Sequence, residues 1–386
     1  MVTNNHGSTE GNGVQEVMSL EQNSQQRPEG TPIIKVLGVG GGGSNAISRM
    51  YKEKSPMVDY YVVNTDYQHL HRCEVPQRIA IGQTLTRGLG VGANPDLGRQ
   101  AADESKAEIA KALEGADMVF LAAGMGGGTG TGATPEIAQI AKEAGALTVA
   151  VVSKPFSFEA SLRRKNAEEG IKRLKDHVDT LIVIPNDCLL KMDKQNDEVC
   201  SWDEALKMAD SVLHQAIQAI TEVVTIPGEI NVDFADVKTI LSSAGQSWLA
   251  IGRAKGENRA KEAAKLATKS PLLDIEIAGA KRILFVITGG ANLGLKEVQE
   301  AADIIQEMAD PDANVIFGTA KDLKMDEEVK VTMVAAAFPV LQDHLEPQDE
   351  ELRRLLRDAI PEEGEDLDIP SFLRRQTAQR SRGLLR

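Results

Sequence analysis

The sequence predicts an α/β protein in which two α/β regions are joined by one long helix. Three observations carry that reading. From residue 33 to about 185, strand-like and helix-like segments alternate, which is the order that builds a mainly parallel sheet with helices on both faces. Two glycine-rich turns each follow an apolar run: Gly38-Val39-Gly40-Gly41-Gly42-Gly43-Ser44-Asn45 and Gly124-Met125-Gly126-Gly127-Gly128-Thr129-Gly130-Thr131-Gly132. Between 202 and 224, Leu206, Ala209, Leu213, Ala216, Ile217, Ile220 and Val224 recur at helical spacing, so one stripe of a single long helix is buried.

The elements follow in order. Residues 1–31 are rich in Asn, Gln, Gly, Ser and Glu and lack the apolar content that ordering requires. Strands are expected at 33–37, 60–63, 118–122, 147–152 and 181–184. A helix over 95–113 opens with Asn94 as N-cap and Pro95 at the first helical position. Another over 135–144 is closed by Gly145. Ile226-Pro227-Gly228 stops the long helix. A helix from about 237, a strand at 283–287, a helix over 295–308 and strands at 315–317 and 329–336 then suit a second core. The expected divisions are a disordered segment at 1–31, a first domain at 32–202, the connecting helix at 203–226 and a second domain at 227–338. An acidic linker at 339–365 and a tail at 366–386 complete the chain.

A chain of 386 residues accommodates two domains with full cores. The net charge of -14 argues against nucleic-acid binding, which needs clustered Lys and Arg. Cys73, Cys188 and Cys200 lack the paired spacing of a zinc site and read as thiols of a reduced, cytoplasmic protein. No signal-like h-region opens the sequence, and no apolar run approaches the roughly 20 residues of a membrane span.

Glycine lets backbone N–H groups approach an anion closely. Two such turns at the carboxyl ends of strands suggest a cradle that grips one phosphate chain from two sides. Gly38, Gly40 and Gly43 match the GxGxxG fingerprint, which alone equally suits a nicotinamide-dependent dehydrogenase. The second turn has the composition of a Walker A loop but lacks its GK[ST] order, which argues against a P-loop NTPase.

The run from Gly126 to Gly132 matches the signature of the tubulin superfamily. Further stretches are similar to the FtsZ family of bacterial cell-division GTPases: Asn64-Thr65-Asp66, Thr86-Arg87-Gly88-Leu89-Gly90, Gly92-Ala93-Asn94-Pro95, Pro185-Asn186-Asp187 and Asn231-Val232-Asp233-Phe234-Ala235-Asp236-Val237. The resemblance spans about 33–338 and resumes in the tail. It implies a Rossmann-like, tubulin-type GTPase domain joined by the central helix to the second α/β domain. It also implies GTP or GDP as ligand, with Mg²⁺ carried on the nucleotide and no dedicated protein cage.

By that resemblance, Gly41, Gly42, Gly43, Ser44 and Asn45, with Gly128, Thr129 and Gly130, hold the phosphates. Gly92, Ala93, Asn94 and Pro95 approach the γ-phosphate at a helix N-terminus. Glu159 and Arg163 meet the ribose and phosphate side; read without the family, that i,i+4 pair is a surface salt bridge. Asp210 accepts the N1–H and 2-amino hydrogens of guanine, and Asn186 meets the other base edge. The family usually places an aromatic residue at the position of Leu206, and leucine loses its stacking geometry. That departure is the one feature favouring a guanine-nucleotide scaffold without catalysis.

Asp233 and Asp236 read on pattern alone as helix caps. The resemblance instead makes Asn231, Asp233 and Asp236 the hydrolytic groups, acting on the γ-phosphate held by a neighbouring subunit. The implied assembly is a head-to-tail homopolymer forming the midcell division ring. Leu367, Ile369, Pro370, Phe372 and Leu373 resemble the family's C-terminal recognition peptide for membrane tethers and regulatory division proteins, so membrane contact is indirect. Arg380, Arg382 and Arg386 form a small basic end.

Overall fold

The computed structural model describes residues 30–53, 57–193, 202–225, 232–269, 280–322, 325 and 327–338. Asn231, Cys200, the acidic linker and the whole tail, including Leu367, Ile369, Pro370, Phe372 and Leu373, lie outside them, as does nearly all of 1–31.

Ten strands are described: β1 (Ile34–Val39), β2 (Val58–Asn64), β3 (Gln77–Ala80), β4 (Met118–Gly124), β5 (Leu147–Lys154), β6 (Thr180–Pro185), β7 (Gly245–Lys255), β8 (Arg282–Gly289), β9 (Asn314–Lys321) and β10 (Glu328–Ala336). They form one sheet in the order β3-β2-β1-β4-β5-β6-β7-β10-β8-β9. Every pairing from β3 to β7 is parallel, β10 runs antiparallel to both its neighbours, and β8 and β9 are parallel. The inner strands β1, β4 and β5 are buried nearly throughout, as helices on both faces require.

Twelve α-helices connect the described strands: α1 (Gly40–Met50), α2 (Tyr67–Arg72), α3 (Gln83–Thr86), α4 (Pro95–Glu104), α5 (Lys106–Leu113), α6 (Thr129–Glu143), α7 (Ser161–Lys175), α8 (Asn186–Asp193), α9 (Trp202–Thr225), α10 (Phe234–Leu241), α11 (Arg259–Thr268) and α12 (Leu295–Met308). The long helix expected at 202–224 is α9. Its stripe of Leu213, Ala216, Ile217 and Ile220 shares one core with Val149, Val151 and Ile182 of the first half of the sheet and Leu249, Leu284, Val286 and Val334 of the second. On the far face the two halves have separate cores, one under α4–α7 and one under α11 and α12.

Besides the short strand β3, which was not expected, three features differ from the expectation. The helix expected over 95–113 breaks at Ser105, whose hydroxyl accepts a hydrogen bond from Gly82 N–H at 3.0 Å. The helix expected from 135 starts at Thr129, inside the second glycine turn, and carries Pro135 in its interior. The strand β7 was not anticipated. Its first residues pair with β6 and the rest with β10, and this joins the two halves into one sheet.

Candidate functional site

The turn after β1 enters α1 through Gly40, which has φ +71°, a conformation that a side chain strains. A Cβ there would also meet Gly130 N at 2.8 Å. The two glycine turns are therefore in backbone contact. Neither α1 nor α6 has a side-chain N-cap, so first-turn N–H groups of both helices lack intrahelical partners and face a common space.

The glycines divide by what surrounds them. Methyl groups at Gly128 and Gly130 would each come to 2.5 Å of a carbonyl oxygen, of Gly92 and Gly124 respectively, and one at Gly43 would collide with the carbonyl of Ala122. These three are demanded by packing. Around Gly127 and Gly92 there is open space, and around Gly41 nothing lies nearer than His69 Cε1 at 3.9 Å. Here backbone can approach a ligand.

A cleft of about 300 Å³ opens over this floor and brings together Gly41, Gly42, Gly92, Gly128, Thr129, Gly130, Glu159, Arg163, Asn186, Leu206 and Asp210. Gly43, Ser44, Asn45, Ala93, Asn94 and Pro95 do not line it. Ser44 is fully buried, and its hydroxyl donates to the carbonyl of Gly38 at 3.4 Å. The carbonyl of Ala93 accepts from Asn166 Nδ2 at 3.2 Å. Asn94 caps α4 as expected, accepting from Asp96 and Leu97 N–H at 3.0 and 3.3 Å, with Pro95 at the first helical position. Asn45 is exposed.

The threonines between the glycines hold the turn. Thr129 shares a 2.7 Å hydroxyl contact with Thr65, and Thr131 accepts from Gly126 N–H at 2.7 Å. On the rim, Glu159 pairs with Arg163 and accepts from Phe156 N–H at 2.9 Å. The salt bridge read from spacing exists, and it stands at the cleft's edge.

At the other end Asn186 follows the last residue of β6 and is 7% exposed; its Oδ1 is buried without a hydrogen-bond partner. A buried orphan acceptor of this kind needs a donor. Asp210 is 9% exposed. Burial pushes its carboxyl up from 3.8 to about 6, against the pull of the Arg49 guanidinium, whose Nη2 stands 3.2 Å from Oδ2. Leu206, one helical turn earlier, is 39% exposed over the cleft.

Sequence reasoning missed Arg49, Gly127, Ser153 and Pro155. The last two sit at the carboxyl end of β5, where the strand-end rule points to them. Arg49 left no signal, because its partner lies on a distant helix.

Asp233 and Asp236 lie elsewhere. Asp233 occupies the N-cap position of α10, but its carboxylate makes no capping bond; only its backbone carbonyl accepts, from Asp236 and Val237 N–H at 3.0 and 3.2 Å. Both side chains are exposed. At the far end of α10, the carbonyl of Leu241 accepts from the hydroxyl of Thr180, the first residue of β6, at 2.5 Å. Asn186, in the cleft, follows that strand's last residue. The cleft and the C-terminal end of α10 therefore lie at opposite ends of β6, about 20 Å apart at strand rise, and neither Asp233 nor Asp236 lines the cleft.

Residues 33–194 match the GTPase-domain model of the tubulin/FtsZ family, and 245–339 match the model of the FtsZ family's C-terminal domain. An FtsZ from M. jannaschii, solved as an empty dimer, is 43% identical over 83% of this chain and 92% of its own, with a TM-score of 0.76. A point mutant of M. jannaschii FtsZ is 41% identical over 84% and 95%, also at 0.76. CetZ1 from Haloferax volcanii, solved as a GDP-bound monomer, is similar in fold, at 23% identity over 84% and 99% with a TM-score of 0.68. With both domain models matched in order and these identities over most of its length, the chain belongs to the FtsZ family.

Proposed function

We propose that this protein is a GTPase that assembles head-to-tail, each active site being completed by the next molecule. The observation that carries the reading is the separation of parts: a nucleotide-shaped cleft at the carboxyl end of β6, and two exposed carboxylates that do not line it, on a helix whose end is tied to the amino end of that strand. A monomer whose catalytic groups lie that far from its ligand needs a second copy.

The residues present fit a guanosine nucleotide. Gly41 and Gly127 leave room for phosphate oxygens against backbone N–H groups of α1 and α6. Asp210 accepts from guanine N1–H and the 2-amino group, a pair adenine lacks, and Asn186 offers its unsatisfied carboxamide oxygen to a nucleoside donor. Mg²⁺ is expected on the phosphates, where it lowers the charge of the leaving group; it usually keeps several waters rather than a protein cage. Asp233 and Asp236 of the following molecule, with Asn231, orient and polarise a water. Its oxygen attacks the γ-phosphorus, the bond to the bridging β,γ-oxygen breaks, and a carboxylate takes the proton. Positioning and charge carry most of such catalysis.

Within the family reading, the filaments form the division ring in the cytoplasm, and the segment 366–376 docks tethers and regulators. GTP turnover per chain should rise steeply with protein concentration, in step with sedimentable polymer. Turnover per chain that stays constant down to nanomolar protein rejects the shared site.

A further inference from the structure

We infer that Arg49 is a positioning residue for base recognition, fixing the charge and aim of Asp210 so that the cleft selects guanine. This rests on the guanine reading above and goes a step past it. Arg49 stands in the last turn of α1, the helix whose first turn is the glycine floor. Its Nη2 reaches Asp210 Oδ2 at 3.2 Å, and its Nη1 donates to the carbonyl of Lys207 at 3.4 Å. One guanidinium thus grips α9 twice, beside the base wall, from the helix that carries the phosphate floor.

The chemistry requires such a partner. A carboxylate offers about four acceptor sites on two oxygens. With Arg49 on Oδ2, the remaining sites face N1–H and the 2-amino group. A protonated Asp210 would present an O–H where guanine also presents donors. Burial drives the group toward that neutral form, and Arg49 opposes it.

Among the described residues, Arg49 is the one charge that acts on Asp210 against its burial. Glu159 and Arg163, across the cleft, are paired with each other, while Asn186, Leu206 and Ala209 are neutral. His214, one turn along α9, is held toward its neutral form by burial, with Glu53 and Glu222 pulling it back and Lys330 adding to the shift.

The test is the affinity of a fluorescent guanosine diphosphate for the full-length protein between pH 5.5 and 8.5, in the wild type, Arg49→Gln and Arg49→Lys. Wild-type affinity should hold above pH 7 and fall below about pH 6, approaching tenfold per unit. In Arg49→Gln the midpoint should move about one unit upward, giving a loss of roughly threefold at pH 6.5 that approaches tenfold near pH 5.5 and vanishes toward pH 8.5. Arg49→Lys, which keeps the charge but not the fork, should keep the wild-type midpoint. An Arg49→Gln curve parallel to wild type at every pH overturns the inference. If that variant does not fold, Arg49→Met, which keeps the apolar stem without the charge, is read in its place, and a curve parallel to wild type again overturns the inference. Failure of the wild type to bind the probe at pH 7.5 overturns the guanine reading itself, a result distinct from parallel curves.

Discussion

A carboxylate that is nine-tenths buried stays charged only against a penalty, and Asp210 carries that penalty for the sake of its ligand. Its folded-state value near 6 lies above the ordinary 3.8. The folded chain therefore holds this proton more tightly than the unfolded chain. The stabilisation that protonation gives is full below pH 3.8 and is lost as pH rises through 6. At pH 7.5 the unliganded protein thus bears the cost of the charged form, at most about 3 kcal/mol. Asp210→Asn should raise the melting temperature of the nucleotide-free protein at pH 7.5 while abolishing guanine selectivity, and the thermal gain should shrink steadily between pH 6.5 and 5. Thermal unfolding across that range, without nucleotide, checks it. Leu206 invites the opposite change. Leu206→Tyr adds a ring over the base and should tighten guanine nucleotide binding by roughly 2- to 13-fold, the value of about 0.5–1.5 kcal/mol of aromatic stacking, as titration calorimetry would read.

The glycine floor shows what a motif does and does not reveal. Both turns were legible because glycine clusters after apolar runs stand out in any sequence. Which glycines serve the ligand was not, since that depends on what packs behind each one. Gly43 backs onto the carbonyl of Ala122, and Gly41 faces open cleft. Gly43→Ala should overpack the contact between α1 and β4 and cost about 1–3 kcal/mol of stability. Gly41→Ala should melt like wild type yet bind nucleotide more weakly, because the methyl stands where phosphate oxygens approach. Denaturant titration and nucleotide binding on the same two variants separate the roles. The same context hid the true start of α6. Glycine and threonine are poor helix formers, and tertiary contacts hold the turn in helical form, among them the packing of Gly130 on Gly124, the Thr129 contact with Thr65 and the Thr131 bond to Gly126. β7 was hidden differently. Gly252 interrupts its pattern because the strand must let α11 approach, where a methyl would collide with the carbonyl of Ala263.

For the molecule as a whole, direction along the sheet decides what is possible. The parallel strands β1, β4, β5 and β6 end at the cleft, and α9 leads the chain away from it, past Leu206 and Asp210, toward α10, whose last residue is tied to the amino end of β6. The sequence shows such a connector as a periodic stripe, but it does not show which edge each end reaches; that follows from the pairing of β6 with β7. A heterologous contact that joins opposite edges propagates into a filament, and in it each cleft borrows its carboxylates from one neighbour. This makes complementation the sharpest test of the shared site. Asp210→Asn spoils a cleft and leaves its own Asp233 and Asp236 intact; Asp236→Ala spoils the carboxylate pair and leaves the cleft intact. Each variant alone should hydrolyse almost no GTP. Mixed in equal amounts and copolymerised at random, about a quarter of the contacts join an intact cleft to an intact pair. The mixture should therefore regain on the order of a quarter of wild-type turnover, and only at concentrations where polymer sediments. If copolymer forms and turnover stays at the level of the separate variants, both halves of the site belong to one chain and the head-to-tail mechanism fails.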